Sequence, residues 1–155
     1  MGLSEQQIKQ IVEETVRNIG TGTAGAACSG SWMCDDANDA VENAKRAQKQ
    51  LMTMTLEQRG RLVSAMREAA LANSVKLAEM AHEETGYGSV EHKIMKNELA
   101  AKKTPGIEDL HTQAFSGDDG LTIVEQAPFG VIGSITPSTN PTSTVINNSI
   151  SMVAA

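Results

Sequence analysis

Aromatic side chains are nearly missing from this sequence. Trp32, Tyr87, Phe115 and Phe129 are the whole set in 155 residues, so a core must come from Ala, Val, Ile, Leu and Met, the palette of closely packed helices. Basic charge is not in excess either. Thirteen Lys and Arg stand against 19 Asp and Glu, a formal charge of -6, whereas binding to nucleic acid or anionic membranes is driven by clustered cations. Neither partner is expected. No apolar run approaches the ~20 residues of a membrane span, and the N-terminus lacks the basic and apolar regions of a signal peptide. A cytoplasmic protein is the expectation. The two cysteines, Cys28 and Cys34, are spaced as neither a CxxC redox pair nor a zinc half-site and read as linker residues. His82 and His92 lie beside glutamates, in HEETG and VEHKI, but neither forms the HExxH pattern that sets two imidazoles on one helical face. No metal is expected. Gly130 and Gly133 make no GxGxxG fingerprint and are assigned to close strand packing.

What the sequence does have is helical periodicity. Residues 4–19 place Ile8, Ile11, Val12, Val16 and Ile19 on one stripe, with Ser4 and Gln7 as a capping box and Gly20 as a stop. Residues 20–35 have the Gly/Ser/Ala composition of a flexible linker. An apolar stripe on such a tether must dock somewhere, either on another protein or back on its own domain or an oligomer neighbour. From residue 36 to 120 the pattern predicts a helical layer. Asp39 caps a helix with Ala40, Val41, Ala44, Ala47 and Leu51 on its apolar face, and Glu42 faces Arg46 at i,i+4. Thr55 and Gln58 form a capping box for a helix that turns Leu56, Leu62, Val63, Met66, Ala69 and Ala70 inward. Asn73 or Ser74 starts a third helix, with Leu77, Ala78 and Ala81 inside, and Gly86 ends it. Ser89 starts a fourth, closed by Pro105 and Gly106. Met52, Met54, Met66, Met80 and Met95 are read as core filler.

After Pro105 the period changes. FSGDDG at 115–120 is turn chemistry, and 121–129 reads as an extension strand running toward an oligomerisation region, to pair with another subunit or be covered by one. Residues 130–136, with Val131, Ile132, Ile135 and Thr136, read as a buried strand. Asn140 as N-cap and Pro141 at the first helical position then open a helix. A strand running into a helix start aims unpaired N–H groups and a positive dipole end at the region where open α/β sheets bind ligands. A parallel strand needs a crossover and a second strand, and the sequence stops within the crossover helix. The expectation is therefore the front part of a longer α/β protein, with 130–155 as the first strand-helix unit of its sheet. The segment after Gly120 is expected to fold poorly alone, exposing Val145, Ile146, Ile150 and Val153.

The stretches AKRAQKQL at 44–51, TPGIEDL at 104–110 and SGDDGLTIVEQAPFGVIGSITPSTNPTSTVINNSISMVAA at 116–155 resemble the front of CoA-acylating aldehyde dehydrogenases. The similarity is strongest to the acetaldehyde and propionaldehyde enzymes of bacterial microcompartments. The resemblance implies an aldehyde dehydrogenase-like α/β fold with a Rossmann-type sheet, and the reaction of an aldehyde, CoA and NAD+ to acyl-CoA and NADH. It implies NAD and coenzyme A as cofactors, a homo-oligomer, and residence in a microcompartment. The stripe from Ile8 to Ile19 then becomes an encapsulation-type helix that docks on shell or cargo proteins. The nucleophilic cysteine of such enzymes lies downstream of these residues, so the chain alone is expected to be inactive. Its contribution is a site wall. Ile135, Thr136, Pro137, Ser138, Thr139 and Asn140 are expected to line the nicotinamide side of the cleft, with Thr139 and Asn140 as oxyanion candidates. In hydrolytic relatives an asparagine stands between two prolines; here Pro137 and Pro141 keep that spacing, Thr139 takes its place and Asn140 follows. The competing expectation is a non-enzymatic docking or assembly adaptor built from the first helix and the helical layer.

Overall fold

A computed structural model describes residues 33–155. The predicted docking helix with Ile8, Ile11, Val12, Val16 and Ile19, and nearly all of the linker, lie outside the described residues. The chain divides at Gln48 and Lys49 into two units.

Helix α1, Ala37–Leu51, belongs mainly to the first unit. It starts three residues before the predicted position. Asp36 Oδ1 accepts from the Asn38 amide at 2.5 Å, so Asp36 acts where Asp39 was expected and Asp39 falls in the first turn. Ala40, Val41 and Ala47 are exposed. Its polar face holds local pairs: Lys45 reaches Glu42 at 2.7 Å, and Arg46 donates to Asn43. Cys34 is disulfide-bonded and offers no thiol nucleophile.

The second unit is a helical layer with a small hairpin. Helix α2, Leu56–Ala72, opens with the predicted capping box. The Thr55 side chain accepts from the Gln58 amide at 3.2 Å, and the Gln58 side chain accepts from the Thr55 amide at 2.8 Å, each satisfying a donor the helix cannot use. Helix α3, Ser74–Thr85, ends at Gly86, whose φ of 66° is the left-handed conformation that glycine takes without a Cβ penalty. Helix α4, Val90–Lys103, is capped by Ser89, whose hydroxyl accepts from the His92 amide. A 3-10 turn at Ile107–Asp109 follows. Helix α5, Pro141–Ala154, packs against α2 and α4.

The core is small and aliphatic. Val63 and Ala70 of α2, Ala101 of α4, and Ile146, Ile150 and Ala154 of α5 form one cluster, with Met66, Leu71, Ile107 and Val153 half-buried against it. This corrects the expectation for α5. Ile146 and Ile150 are buried and Val153 half-buried, leaving Val145 exposed, because the helical layer supplies the surface that the apolar stripe needs. Leu56 and Ala69 are exposed, and so are Met52, Met54, Met80 and Met95; of the five methionines only Met66 joins the core. Two arginines tie the layer together. Arg59 donates to Ala154 O at 2.9 Å, and Arg67 donates to Lys102 O, Thr104 O and Glu108 Oε1. The cations thereby meet the carbonyl ends of α5 and α4, where the helix dipole favours them.

The strands differ from expectation. β1, Gln113–Gly117, pairs antiparallel with β2, Gly120–Val124, across Asp118 and Asp119. The turn is thus only the centre of FSGDDG, and the extension strand is the second arm of a hairpin, ending at Val124. All ten strand residues are exposed. The strand expected at 130–136 does not form: these residues are irregular, with a bend at Val131, and Ile135 is 95% exposed. A strand is stable only when a neighbour takes its backbone hydrogen bonds, and none of the described segments pairs there. Close strand packing at Gly130 and Gly133 is also absent. A Cβ at either would meet nothing within 4 Å; Gly130 instead serves a bend, with φ of 94°.

Candidate functional site

The predicted site residues stay together as one continuous feature. Ile135, Thr136, Pro137, Ser138 and Thr139 run exposed along the coil, turn at Ser138 and Thr139, and enter α5 through Asn140 and Pro141. Pro141 occupies the helix start as expected. Asn140 does not cap with its side chain. Its Oδ1 accepts from Lys96 Nζ at 2.9 Å and its Nδ2 donates to Thr139 Oγ1 at 3.3 Å. The lysine fixes the amide orientation, since an ammonium has only donors and must face the amide oxygen. With its lone pair engaged by the Asn140 amide, the Thr139 hydroxyl keeps its own proton to donate.

Helix α4 holds this loop from below. Lys93, Asn97 and Ala101 form its inward stripe. Lys93 Nζ donates to Thr139 O at 3.3 Å. Asn97, 1% exposed, donates to Ser74 O at 3.1 Å and accepts from Thr142 Oγ1 at 2.8 Å, linking α3, α4 and α5 through one amide. Farther along α5, Asn147 donates to the buried Thr104 hydroxyl and Asn148 to Ser134 Oγ. Sequence reading missed Lys93, Lys96 and Asn97. Their only signal was a lysine and an asparagine at i,i+4 on the stripe shared with Ala101, where aliphatic residues are the rule.

Between α4 and α5 lies a groove of about 620 Å³, lined by Lys96, Leu99, Lys103, Asn140, Ser143 and Asn147 among others. It opens beside the loop. Two cations, hydroxyls and amides line it, and no carboxylate does. The carboxylate that departs from ordinary behaviour is elsewhere. Glu108 is held below its usual value of 4.5 by the hydrogen bond from its own backbone N–H, then by the Gly106 N–H and the Arg67 guanidinium, with burial opposing.

The arrangement has donors but no nucleophile. Thr136, Ser138, Thr139 and Asn140 offer hydroxyl and amide groups, and from Gln126 to Ala155 the sequence has no charged side chain. That neutral donor set fits a carboxamide oxygen or a developing oxyanion, both of which accept hydrogen bonds. No free cysteine is present among the described residues, nor any cluster of His, Cys, Asp and Glu that would hold a metal. No helix among them is long and apolar enough to cross a membrane.

The geometry has counterparts in known proteins. An acetaldehyde dehydrogenase (acetylating) of Bilophila wadsworthia is 43% identical, over 99% of this chain and 34% of that protein. A propionaldehyde dehydrogenase from the Clostridium phytofermentans fucose utilisation bacterial microcompartment superposes with a TM-score of 0.75 at 53% identity, over 79% of this chain and 28% of that one. The propionaldehyde dehydrogenase of Rhodopseudomonas palustris, solved with bound CoA, gives 0.72 at 55% identity over 76% and 27%. An engineered glycolyl-CoA reductase with bound NADP+ gives 0.72 at 55% over the same shares. The chain spans about a third of the length of the curated relatives it matches. It has the aldehyde dehydrogenase-like fold in part, as a mostly helical segment with a two-stranded sheet. The aldehyde dehydrogenase family model matches residues 9–155, and the chain belongs to that family.

Proposed function

We propose that this chain supplies the N-terminal third of a CoA-acylating aldehyde dehydrogenase, which converts a short aldehyde, CoA and NAD+ to acyl-CoA and NADH. The observation that carries the reading is the loop at 135–140. It presents Thr139 and Asn140 as an ordered donor pair at the start of α5, with the Asn140 side chain withdrawn from capping and held by Lys96. In the reaction an aldehyde carbonyl becomes a tetrahedral oxyanion when a thiolate adds to it, and preorganised donors stabilise that charge as it forms. Asn140 Nδ2 and the Thr139 hydroxyl are the donors. Ile135, Thr136, Pro137 and Ser138 form the wall on the nicotinamide side, and the bound nicotinamide is what accepts the hydride. The nucleophilic thiol of such enzymes lies downstream of residue 155, and the 155-residue chain alone is inactive. The N-terminal stripe of Ile8, Ile11, Val12, Val16 and Ile19, predicted from its spacing to be helical, docks on microcompartment shell or cargo proteins, and the assembled enzyme is a homo-oligomer.

The test is NADH formation with acetaldehyde or propionaldehyde, CoA and NAD+. The 155-residue chain is compared with a full-length acylating relative whose own segment is replaced by residues 33–155 of this chain. Turnover by the chimera and none by the short chain is expected. Turnover by the short chain would refute the placement of the thiol, and an inactive but folded chimera would refute the reading of the segment.

A further inference from the structure

We infer that Lys93 and Lys96 are positioning residues: α4 uses them to set where Thr139 and Asn140 stand, and so to aim the donor pair of the candidate site. The inference rests on the functional reading above. Lys93 occupies the inward stripe of α4 and is 6% exposed, a position where an ammonium is costly unless it is hydrogen-bonded. It is hydrogen-bonded to the loop: Nζ donates to Thr139 O at 3.3 Å. One turn on, Lys96 Nζ donates to Asn140 Oδ1 at 2.9 Å. The two cations therefore grip consecutive loop residues, one by its main chain and one by its side chain. Asn97 completes the grip by accepting from Thr142 Oγ1, which fixes the first turn of α5 against the same helix.

The consequence for Asn140 is directional. An amide free to cap would turn its oxygen toward the amides of the first helical turn. With the oxygen drawn to Lys96 instead, Nδ2 is left facing Thr139 Oγ1, and the cation withdraws density from the amide so that its N–H becomes a stronger donor. Charge on Lys96 thus does two things at once. It orients the pair and it polarises it, without itself touching the reacting carbonyl.

The chimera described above is the protein to test, with Lys96→Met, Lys96→Arg, Lys93→Met and, as a control, Lys102→Met, which removes an exposed pair with Glu98 on the same helix. Amide hydrogen exchange of Ser138, Thr139, Asn140, Thr142 and Ser143 is followed in parallel in the 155-residue chain. Losing one charge-assisted hydrogen bond at a positioned donor is expected to lower kcat about tenfold while KM for aldehyde and CoA changes less than about twofold. Loop exchange should speed up by about the same factor, with exchange in α2 unchanged. Lys96→Arg should recover most of kcat, and Lys102→Met should match the parent in both readouts. Should Lys93→Met fail to fold, the Lys96 pair of variants still decides. Faster loop exchange with unchanged kcat would overturn the positioning role while leaving the functional reading intact. Unchanged loop exchange would overturn the grip itself, and an inactive parent chimera would overturn the functional reading and the inference with it.

Discussion

Truncating Ile150 to alanine tests the packing on which the whole site depends. Ile150 is 0% exposed and lies in the cluster with Val63, Ala70, Ala101, Ile146 and Ala154. The substitution removes three carbons, worth roughly 2.4 kcal/mol in lost transfer energy at about 0.8 kcal/mol each. A cavity term adds to this, since three of the five cluster neighbours are alanines on helix backbones that cannot collapse far into the space. A total of about 3–4 kcal/mol is expected, within the usual range for such truncations. Against a domain stability of about 5–15 kcal/mol that is a large fraction, and it should move the urea midpoint by more than about 1 M. The assay is urea unfolding followed by far-UV circular dichroism, with Val145→Ala as the comparison. Val145 lies on the same helix but is 54% exposed, so its truncation should stay within about 0.5 kcal/mol. Equal effects at the two positions would refute the docking of α5 by its Ile146 and Ile150 face, and with it the placement of the loop.

Three further expectations follow from local chemistry. Thr55→Ala removes the side-chain acceptor of the α2 capping box, leaving the Gln58 amide without its partner, and should cost about 1 kcal/mol, read as a lowered thermal midpoint, whereas Thr55→Ser should hold it. Asn97→Ala strands the Ser74 carbonyl and the Thr142 hydroxyl and should cost about 2–4 kcal/mol. Thr142→Val should cost less, and a double-mutant cycle between the two should show coupling above about 0.5 kcal/mol; strict additivity would deny the bond. Glu108 has a folded-state value below its ordinary 4.5, so its contribution is fully present above that pH and is lost as pH falls through the lowered value. Stability of the unaltered chain should therefore fall more steeply below about pH 4.5 than that of Glu108→Gln, and parallel curves in acid would contradict the shift.

The sequence by itself determined the helix boundaries set by capping. Thr55 with Gln58, Ser89, Gly86 and Pro141 act through bonds or torsions within a few residues of themselves, so their effect can be read without knowing what lies across the fold. It also determined the turn at Ser138 and Thr139 and the helix start after Asn140, because Pro137 and Pro141 flank that stretch. Tertiary structure decided what those local rules leave open. Whether Ile150 or Val145 is buried depends on which face meets α2 and α4. Whether 130–136 is a strand depends on a partner far away in sequence, and the alternating apolar residues could not supply one. The hairpin arm at Gln113–Gly117 shows the same limit, since its short polar sequence carries little strand signal before β2 pairs with it. Asn140 is the sharpest case. Local rules make it a cap, but the packing of α4 brings an ammonium within 2.9 Å of its oxygen, and a charged donor outcompetes a neutral backbone amide for the same lone pair.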